Sequence, residues 1–341
     1  MHPVGTIINQ HEGKRSLRAA RCQAYGPPEA VVIEHIPPPT LRAGGALIDI
    51  QAAAVNFPDV LLVANEYQVS IPVPFTLGSE FAGVVTAVAD DATGLAPGDR
   101  VFGSAFAGAF AEQIAMPAAA LTRLPDSADF AEAAAFGVAH TTAYLALRSV
   151  AEVQADDWVV VLGAAGGVGL AAVELATILG ARVVAAASSA DKLALCRARG
   201  AVATVNYTTE DLKVRIKDIT GGGADVVIDP VGGPYSEPAL RATRWGGRFV
   251  VIGFAAGEIP RIPLNLVLLK GVVVKGFEFR TFADHAPDAA RRDHDELFQL
   301  FATGQVRPHV SAVFPLDQTG EALRAMADRR ALGKIVVDPT A

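Results

Sequence analysis

The stretch Trp158–Gly180 decides the fold and reads WVVVLGAAGGVGLAAVELATILG. An apolar strand candidate leads directly into the turn Gly163–Gly169, and a helical run follows as far as Gly180. A turn without side chains lets a pyrophosphate approach backbone N–H groups at the positive end of the helix dipole. A glycine turn that serves only close helix packing is the alternative, but strand, turn and helix in this order favour a dinucleotide site.

Strands and helices continue to alternate after Gly180. The strand candidates are RVVAAA (182–187), ADVVID (224–229) and GRFVVIG (247–253), and a helical run ADKLALCRAR (190–199) ends before Gly200. Glycine is the preferred residue just after a helix, where the chain turns left-handed. This alternation predicts a doubly wound parallel sheet.

The flanking regions have a different pattern. From Leu17 to Ile114, short Val-, Ile- and Ala-rich strand candidates such as IDIQAAAV (48–55) alternate with Pro/Gly clusters, which predicts a β-rich domain. A long apolar helix is predicted from Ala131 to Val150. Towards the C-terminus we expect a strand VVVKGFEF (272–279), helices at 293–302 and 316–326, and a closing strand KIVVD (334–338) that completes the first domain.

Length and charge limit the classes of function. A chain of 341 residues favours two domains, and a net charge of −7 without a basic run disfavours nucleic-acid and membrane partners. Cys22 and Cys196 are the only cysteines, which excludes a disulfide framework and a zinc site of several thiolates. We therefore expect a cytoplasmic protein without a transmembrane helix, and a flexible tail at residues 1–16.

The end of the second strand predicts which nucleotide binds. An NAD site places Asp or Glu there, whereas this chain has Ser188 and Ser189, followed by Lys192. Two hydroxyls and a positive charge suit the 2′-phosphate of NADPH. Ser189 as a helix N-cap and Lys192 as a solvated charge are the alternatives, and capping can coexist with phosphate binding.

Six motifs together resemble one family, the zinc-independent quinone oxidoreductase branch of the medium-chain dehydrogenase/reductase superfamily. They are VNFPDVLLVANEYQ (55–68), PFTLGSEFAGVV (74–85), GDRVFG (98–103), GAAGGVGLAAVELA (163–176), DPVGG (229–233) and GKIVV (333–337). The resemblance covers Leu17 to Val337. It implies an α/β fold with a GroES-like catalytic domain at 17–140 and 285–341 around a Rossmann NADPH-binding domain at 141–284.

The resemblance also assigns site residues. It implies that Asn56 lies beside the nicotinamide ribose, that Thr142 lies near the nicotinamide amide, and that Gly253 and Phe254 form a loop close to the ring. It places the glycine motif at the pyrophosphate and the 2′-phosphate between a lysine and a tyrosine, with help from a serine; these residues are Gly163, Gly166, Gly167, Val168, Lys192, Tyr207 and Ser188. For Thr142, a hydroxyl bonded to a carbonyl one turn earlier is the alternative.

Zinc ligands are missing where zinc-dependent relatives carry them. Asn56 stands in place of a ligand cysteine and Ser79 in place of a ligand histidine, so we expect no bound zinc. Two residues depart from the family pattern. Asn65 replaces a common glycine, although Asn tolerates the left-handed conformation, and Pro230 replaces a hydroxyl that relatives aim at the cofactor. His140 is interpreted as a packed core residue.

The predicted reaction is hydride transfer from NADPH to a quinone, which needs alignment in a dry pocket more than a catalytic dyad. Reduction of an activated alkene, such as an enone or enoyl-CoA, is the alternative enzyme function. Tyr67 is the candidate proton donor for it, unless its ring only closes the cleft edge. A crystallin-like or regulatory nucleotide-binding protein is the alternative outside enzymes. The apolar strand VVVKGFEF predicts a homodimer that pairs through this edge.

Overall fold

The computed structural model describes residues 16–341, so the tail expected at the N-terminus lies almost wholly outside the described residues. The strands are β1 Leu17–Cys22, β2 Val31–Ile36, β3 Gly45–Val55, β4 Phe75–Thr76, β5 Glu80–Val88, β6 Arg100–Ser104, β7 Gln113–Pro117, β8 Leu121–Arg123, β9 Trp158–Leu162, β10 Arg182–Ala187, β11 Ala203–Asn206, β12 Ala224–Asp229, β13 Thr243–Val251, β14 Val273–Gly276, β15 Val310–Pro315 and β16 Lys334–Asp338. The helices are α1 Phe57–Ala64, α2 Phe130–Leu145, α3 Gly167–Ile178, α4 Ala190–Ala198, α5 Leu212–Thr220, α6 Ser236–Ala242, α7 Leu264–Lys270, α8 Phe279–His285, α9 Pro287–Ala302 and α10 Thr319–Ala327.

The strands around the glycine motif form one parallel sheet in the order β11-β10-β9-β12-β13-β14. Its central strands are buried on both faces, which is why they read as continuous apolar runs. Helices α3 and α4 pack on one face, and α5 and α6 pack on the other. The prediction of a doubly wound parallel sheet is confirmed, and the strands 158–162, 182–187 and 224–229 have the predicted bounds.

The remaining strands form the β-rich part. One sheet has the order β15-β16-β3-β5-β6-β8, with β7 also paired to β3, and a smaller sheet has the order β2-β1-β4. Strand β16 runs antiparallel to β3, with Ile335 opposite Val55, so the closing strand does return to the first part of the chain. This arrangement confirms the predicted fold class. The domain boundaries at residues 140 and 284 stay a prediction.

The predicted strand VVVKGFEF is only half strand. Strand β14 ends at Gly276, and helix α8 begins at Phe279 because the Glu278 carboxylate caps it by accepting from the N–H groups of Arg280 and Thr281. Other predicted helices differ at their ends. Helix α2 stops at Leu145 and continues as a wider π-type turn over 146–150, α9 begins early at Pro287, and α10 begins after a short 3-10 turn at 316–318.

Predictions for four single residues are confirmed in the fold. Asn65 ends α1 with a φ of 57°, the left-handed conformation that Asn tolerates. Gly180 and Gly200 follow α3 and α4 with positive φ angles of 84° and 105°. His140 is buried and stacks on Phe136, as expected of a core residue.

Among residues 16–341, no helix has the length and apolar character needed to span a bilayer.

Candidate active site

The glycine turn between β9 and α3 is shaped by close backbone packing. Gly163 has a φ of 57°, and a Cβ there would lie 2.6 Å from Val231 Cγ2. A Cβ on Gly169 would overlap the Gly163 carbonyl oxygen, whereas one on Gly166 would meet nothing nearer than 3.4 Å. The turn therefore needs glycine at both ends, while its middle stays open in front of the α3 N–H groups. That shape fits a pyrophosphate at the helix N-terminus.

Polar side chains gather at the carboxyl end of β10. Ser189 caps α4 by accepting from Lys192 N, while Lys192 Nζ donates to Ser188 Oγ at 3.2 Å. Tyr207 follows β11 and donates its backbone N–H to Ala187 O, and its ring packs on Tyr235 with centroids 4.2 Å apart. The structure thus brings Ser188, Lys192 and Tyr207 together, and of these three only Tyr207 lines the neighbouring groove of about 540 Å³. Burial lowers the pKa of Lys192 and raises the pKa of Tyr207.

Arg329 belongs to the same cluster, and sequence reasoning missed it. Its carbonyl oxygen accepts from Lys192 Nζ at 2.9 Å, and after burial its positive charge is the next cause that lowers the pKa of Lys192. Arg329 lies 137 residues beyond Lys192, in the connection between α10 and β16, and has a φ of 58°. The signal that could have found it is a pair of arginines directly after a predicted helix.

The residues expected near the nicotinamide ring lie on separate elements. Thr142 Oγ1, on α2, donates to Val138 O at 2.7 Å, which is the hydrogen bond to a carbonyl one turn earlier. Because its proton is used there, the hydroxyl can meet a ligand only as an acceptor, through its oxygen lone pairs. These lone pairs can accept from an amide NH₂ group. Gly253 and Phe254 follow β13, and Phe254 lies against Gly232. Pro230 accepts from Ala255 N through its carbonyl, so it shapes this loop by its backbone.

Asn56 lies in a buried polar cluster with Ser79, Glu80 and Lys334. Lys334 Nζ donates to Asn56 Oδ1 at 2.6 Å and to Glu80 Oε1 at 2.7 Å. Asn56 Nδ2 donates to Glu80 Oε1 at 2.8 Å and to Ser79 Oγ at 3.2 Å. The amide of Asn56 is therefore committed to this cluster, and only one lone pair of Oδ1 stays open to a ribose hydroxyl. Sequence reasoning missed Lys334, although it stands in the GKIVV motif.

Lys334 joins this cluster to the glycine turn. Gly333 N donates to Ala165 O at 2.7 Å, and a Cβ on Gly167 would lie 3.0 Å from Lys334 Cδ. Lys334 is 2% exposed and Glu80 is 1% exposed, so the ion pair between them is fully buried. The nucleotide turn and the Asn56 cluster therefore share one wall of the cleft.

Asp59 lies directly below this cluster, in the first turn of α1. Its Oδ2 accepts from Asn56 N at 2.8 Å, and its Oδ1 has no hydrogen-bond partner among the described residues. Burial raises the pKa of this carboxyl group to about 7. Tyr67 follows α1, and its half-buried ring lies 6.5 Å from the ring of Phe106.

Comparison with known proteins places the chain in a family. The model of the alcohol dehydrogenase GroES-like domain matches residues 42–126, and the zinc-binding dehydrogenase model matches residues 167–294. A quinone oxidoreductase-like protein 2 homolog from Nematostella vectensis is 36% identical over 330 residues, which cover 96% of this chain and 90% of that protein. This chain belongs to the quinone oxidoreductase-like proteins of the medium-chain dehydrogenase/reductase superfamily.

Other members of this superfamily align along nearly the whole chain. A quinone oxidoreductase from Pseudomonas aeruginosa is 32% identical over 319 residues, covering 93% of this chain and 98% of that protein. The crystal structure of Escherichia coli quinone oxidoreductase complexed with NADPH superimposes with a TM-score of 0.87 at 27% identity, covering 95% of this chain and 99% of that one. Among residues 16–341, no three His, Cys, Asp or Glu side chains are grouped as a metal site requires.

Proposed function

We propose that this protein is an NADPH-dependent oxidoreductase that transfers a hydride to a small-molecule electrophile, a quinone, without zinc. The observation that carries the proposal is the cluster of Ser188, Lys192 and Tyr207 beside the glycine turn, with Lys192 Nζ 3.2 Å from Ser188 Oγ. Hydroxyls and an ammonium group suit a phosphate, whereas free ribose hydroxyls would be matched by a carboxylate. The superposition on an NADPH complex of a quinone oxidoreductase supports the same cofactor.

NADPH supplies the hydride when it is bound, and the residues of this chain bind the nucleotide and orient its nicotinamide ring. The N–H groups at the start of α3 hold the pyrophosphate, and the Lys192 cluster holds the 2′-phosphate. Thr142 Oγ1, whose proton is donated to Val138 O, would accept from the nicotinamide amide and so orient the ring. A quinone accepts the hydride at one carbonyl and takes its proton from water, so alignment in a dry cleft is sufficient.

Zinc independence is proposed from the chemistry of the residues at the ligand positions. Asn56 Nδ2 donates to both Ser79 Oγ and Glu80 Oε1, and the Lys334 ammonium lies 2.6 Å from Asn56 Oδ1. A divalent cation placed there would meet a buried positive charge at short range. An amide and a hydroxyl are also weak zinc ligands compared with thiolate and imidazole.

Tyr67 favours reduction of an activated alkene as a second candidate function. Its ring is half-buried beside Phe106, and burial raises the pKa of the phenol, which stays protonated at neutral pH. Addition of hydride to an enone or enoyl thioester leaves an enolate, and that carbon needs a proton from a placed donor. We propose Tyr67 as this donor for an alkene acceptor.

A panel of acceptors tests the proposal. Oxidation of NADPH is measured with quinones, enones and enoyl-CoA thioesters, with NADH as the comparison and with metal analysis of the purified protein. We expect NADPH-dependent turnover of at least one quinone that survives chelator treatment. Bound zinc in equimolar amount, with activity lost on chelation, contradicts zinc independence. Nucleotide binding without turnover of any acceptor favours the non-enzymatic alternative.

A further inference from the structure

Arg280 lies among aromatic rings where α8 meets the β-rich part. Its guanidinium carbon is 4.9 Å from the centroid of the Phe106 ring and 5.5 Å from that of Phe279. Phe106 in turn faces Tyr67, with ring centroids 6.5 Å apart. Arg280 comes from α8, whereas Tyr67 and Phe106 come from the β-rich part, so the two sides of the cleft meet at this point.

The guanidinium group keeps most of its donors available. Its only hydrogen bond to the described residues is a long one, from Nη2 to Ala105 O at 3.4 Å, and no described carboxylate forms an ion pair with it. The nearby Glu278 carboxylate is occupied, because it accepts from Arg280 N, Thr281 N and Thr281 Oγ1. Although burial acts to raise it, the pKa of Glu278 is lowered by the hydrogen bonds of the α8 cap and, to a smaller extent, by the positive charge of Arg280. The carboxylate oxygens of Glu278 thus serve as the cap of α8.

Ala105 connects this arginine to the Asn56 cluster. Ala105 N donates to Ser79 O at 2.9 Å, and the carbonyl of the same Ala105 accepts from Arg280. The Phe106 ring lies between Tyr67 and Arg280, 6.5 Å from the Tyr67 ring centroid and 4.9 Å from the Arg280 guanidinium carbon. A molecule that contacts both Tyr67 and Phe106 therefore comes close to the free donors of Arg280.

We propose that Arg280 selects electron acceptors that carry an oxyanion, a carboxylate or a phosphate, while Tyr67 and Phe106 contact their flat conjugated part. Two N–H groups of a guanidinium match two oxygens of a carboxylate or phosphate, and stacking on Phe106 and Phe279 orients the group before the acceptor arrives. A neutral acceptor would use the aromatic rings and leave this charge unmatched. The proposal names the substrate class within the function proposed above and rests on it.

A turnover experiment compares two acceptors that differ by one charge. The neutral enone 4-phenylbut-3-en-2-one and its para-carboxylate derivative are reduced by the wild type and by Arg280→Met, which keeps an apolar side chain against Phe106. We expect the ratio of kcat/KM, carboxylate over neutral, to fall by about ten- to a hundredfold in Arg280→Met, as loss of a charge-assisted contact implies. The same ratio in Arg280→Lys should lie between the ratios of the wild type and Arg280→Met.

Arg291→Met is the matched control, because Arg291 is exposed on α9 and pairs only with Asp288 in the described chain. It should leave the ratio unchanged. An equal ratio in wild type and Arg280→Met shows that Arg280 only packs on the rings, and overturns the proposal. Circular dichroism and the Tm of each variant identify a folding failure, and in that case the ratio in Arg280→Lys decides.

A binding experiment separates failure of this inference from failure of the proposed function. In the presence of NADP⁺, calorimetric titration compares 2-naphthoate, 2-naphthyl phosphate and 2-naphthol. Tighter binding of either anion than of naphthol, lost in Arg280→Met, supports the oxyanion site even if no acceptor is turned over. The anion that binds more tightly identifies the preferred group as a carboxylate or a phosphate. Equal affinities for all three compounds overturn the proposed oxyanion site.

Discussion

At the scale of single residues, cofactor choice depends on Lys192. Replacing it by alanine removes the ammonium that meets Ser188 and Arg329. A charge-assisted hydrogen bond contributes about 1.5 to 3 kcal/mol, so we expect kcat/KM with NADPH to fall by about ten- to a hundredfold, with little change for NADH. Lys217→Ala, on α5, is the control. An unchanged ratio between the two cofactors would show that Lys192 does not read the phosphate.

Tyr67 is the second residue whose role a single substitution can decide. Tyr67→Phe keeps the ring that faces Phe106 and removes only the hydroxyl. We expect the variant to lose more kcat/KM with an enone or enoyl-CoA than with a quinone, because only the alkene needs a proton on carbon from a placed donor. Steady-state kinetics with one acceptor of each kind measure this difference. Equal losses would make Tyr67 a packing residue.

At the scale of elements, the turn from β9 to α3 depends on glycine at particular positions. An alanine at Gly169 would overlap the Gly163 carbonyl oxygen, whereas an alanine at Gly166 has about normal contact distance. We expect Gly169→Ala to lower the free energy of unfolding by about 1 to 3 kcal/mol or more, as overpacking does. Gly166→Ala is the matched variant and should unfold close to wild type in urea. Equal stabilities would mean that the turn relaxes around the added methyl group.

The first residue of β16, Lys334, joins the glycine turn to the Asn56 cluster. Lys334→Met leaves the Glu80 carboxylate buried without its cation, and breaking a buried pair in this way costs about 3–5 kcal/mol. We therefore expect a clear fall in the urea midpoint and in Tm. The double variant Lys334→Met/Glu80→Gln removes both charges and should recover most of the loss. A double variant no more stable than Lys334→Met would show that the alkyl packing, and not the charge, is what matters.

At the scale of the whole molecule, one edge of the parallel sheet exposes a large apolar surface. Strand β14 pairs only with β13 in the described chain, and Trp245, Leu264, Leu268 and Leu269 near it are each more than two thirds exposed. Trp245, on β13, packs over Gly271, which ends α7 just before β14. Apolar patches of this kind mark association surfaces, so we propose that two copies of this chain meet here.

A charge at the centre of this surface tests the dimer. Leu268 is 81% exposed, and Leu268→Asp should shift the protein from dimer to monomer in sedimentation velocity, since a carboxylate would be buried in the interface. Val202→Asp is the matched control, because Val202 is 64% exposed at the β11 edge, the opposite end of the same sheet. A wild type that sediments as a monomer at micromolar concentration contradicts the proposal.

Local sequence determined the parts of this protein whose interactions span a few residues. The strand, glycine turn and helix at 158–180, the C-cap glycines, and the Ser189 cap all involve neighbours within about one helical turn. Ser188 and Lys192 lie four residues apart and were found for the same reason. The prediction of a strand over the whole of 272–279 was wrong, because the apolar pattern alone does not show that Glu278 would cap a helix.

Only the tertiary structure decided which distant residues complete the site. Arg329 lies 137 residues from Lys192, Lys334 lies 278 residues from Asn56, and Arg280 lies 175 residues from Ala105. No local pattern links such pairs, because their contacts depend on how β16 returns to β3 and how α8 follows the sheet edge. Lys334 shows the physical reason: a lysine in a short apolar strand is explained only once the buried carboxylate that neutralises it is seen.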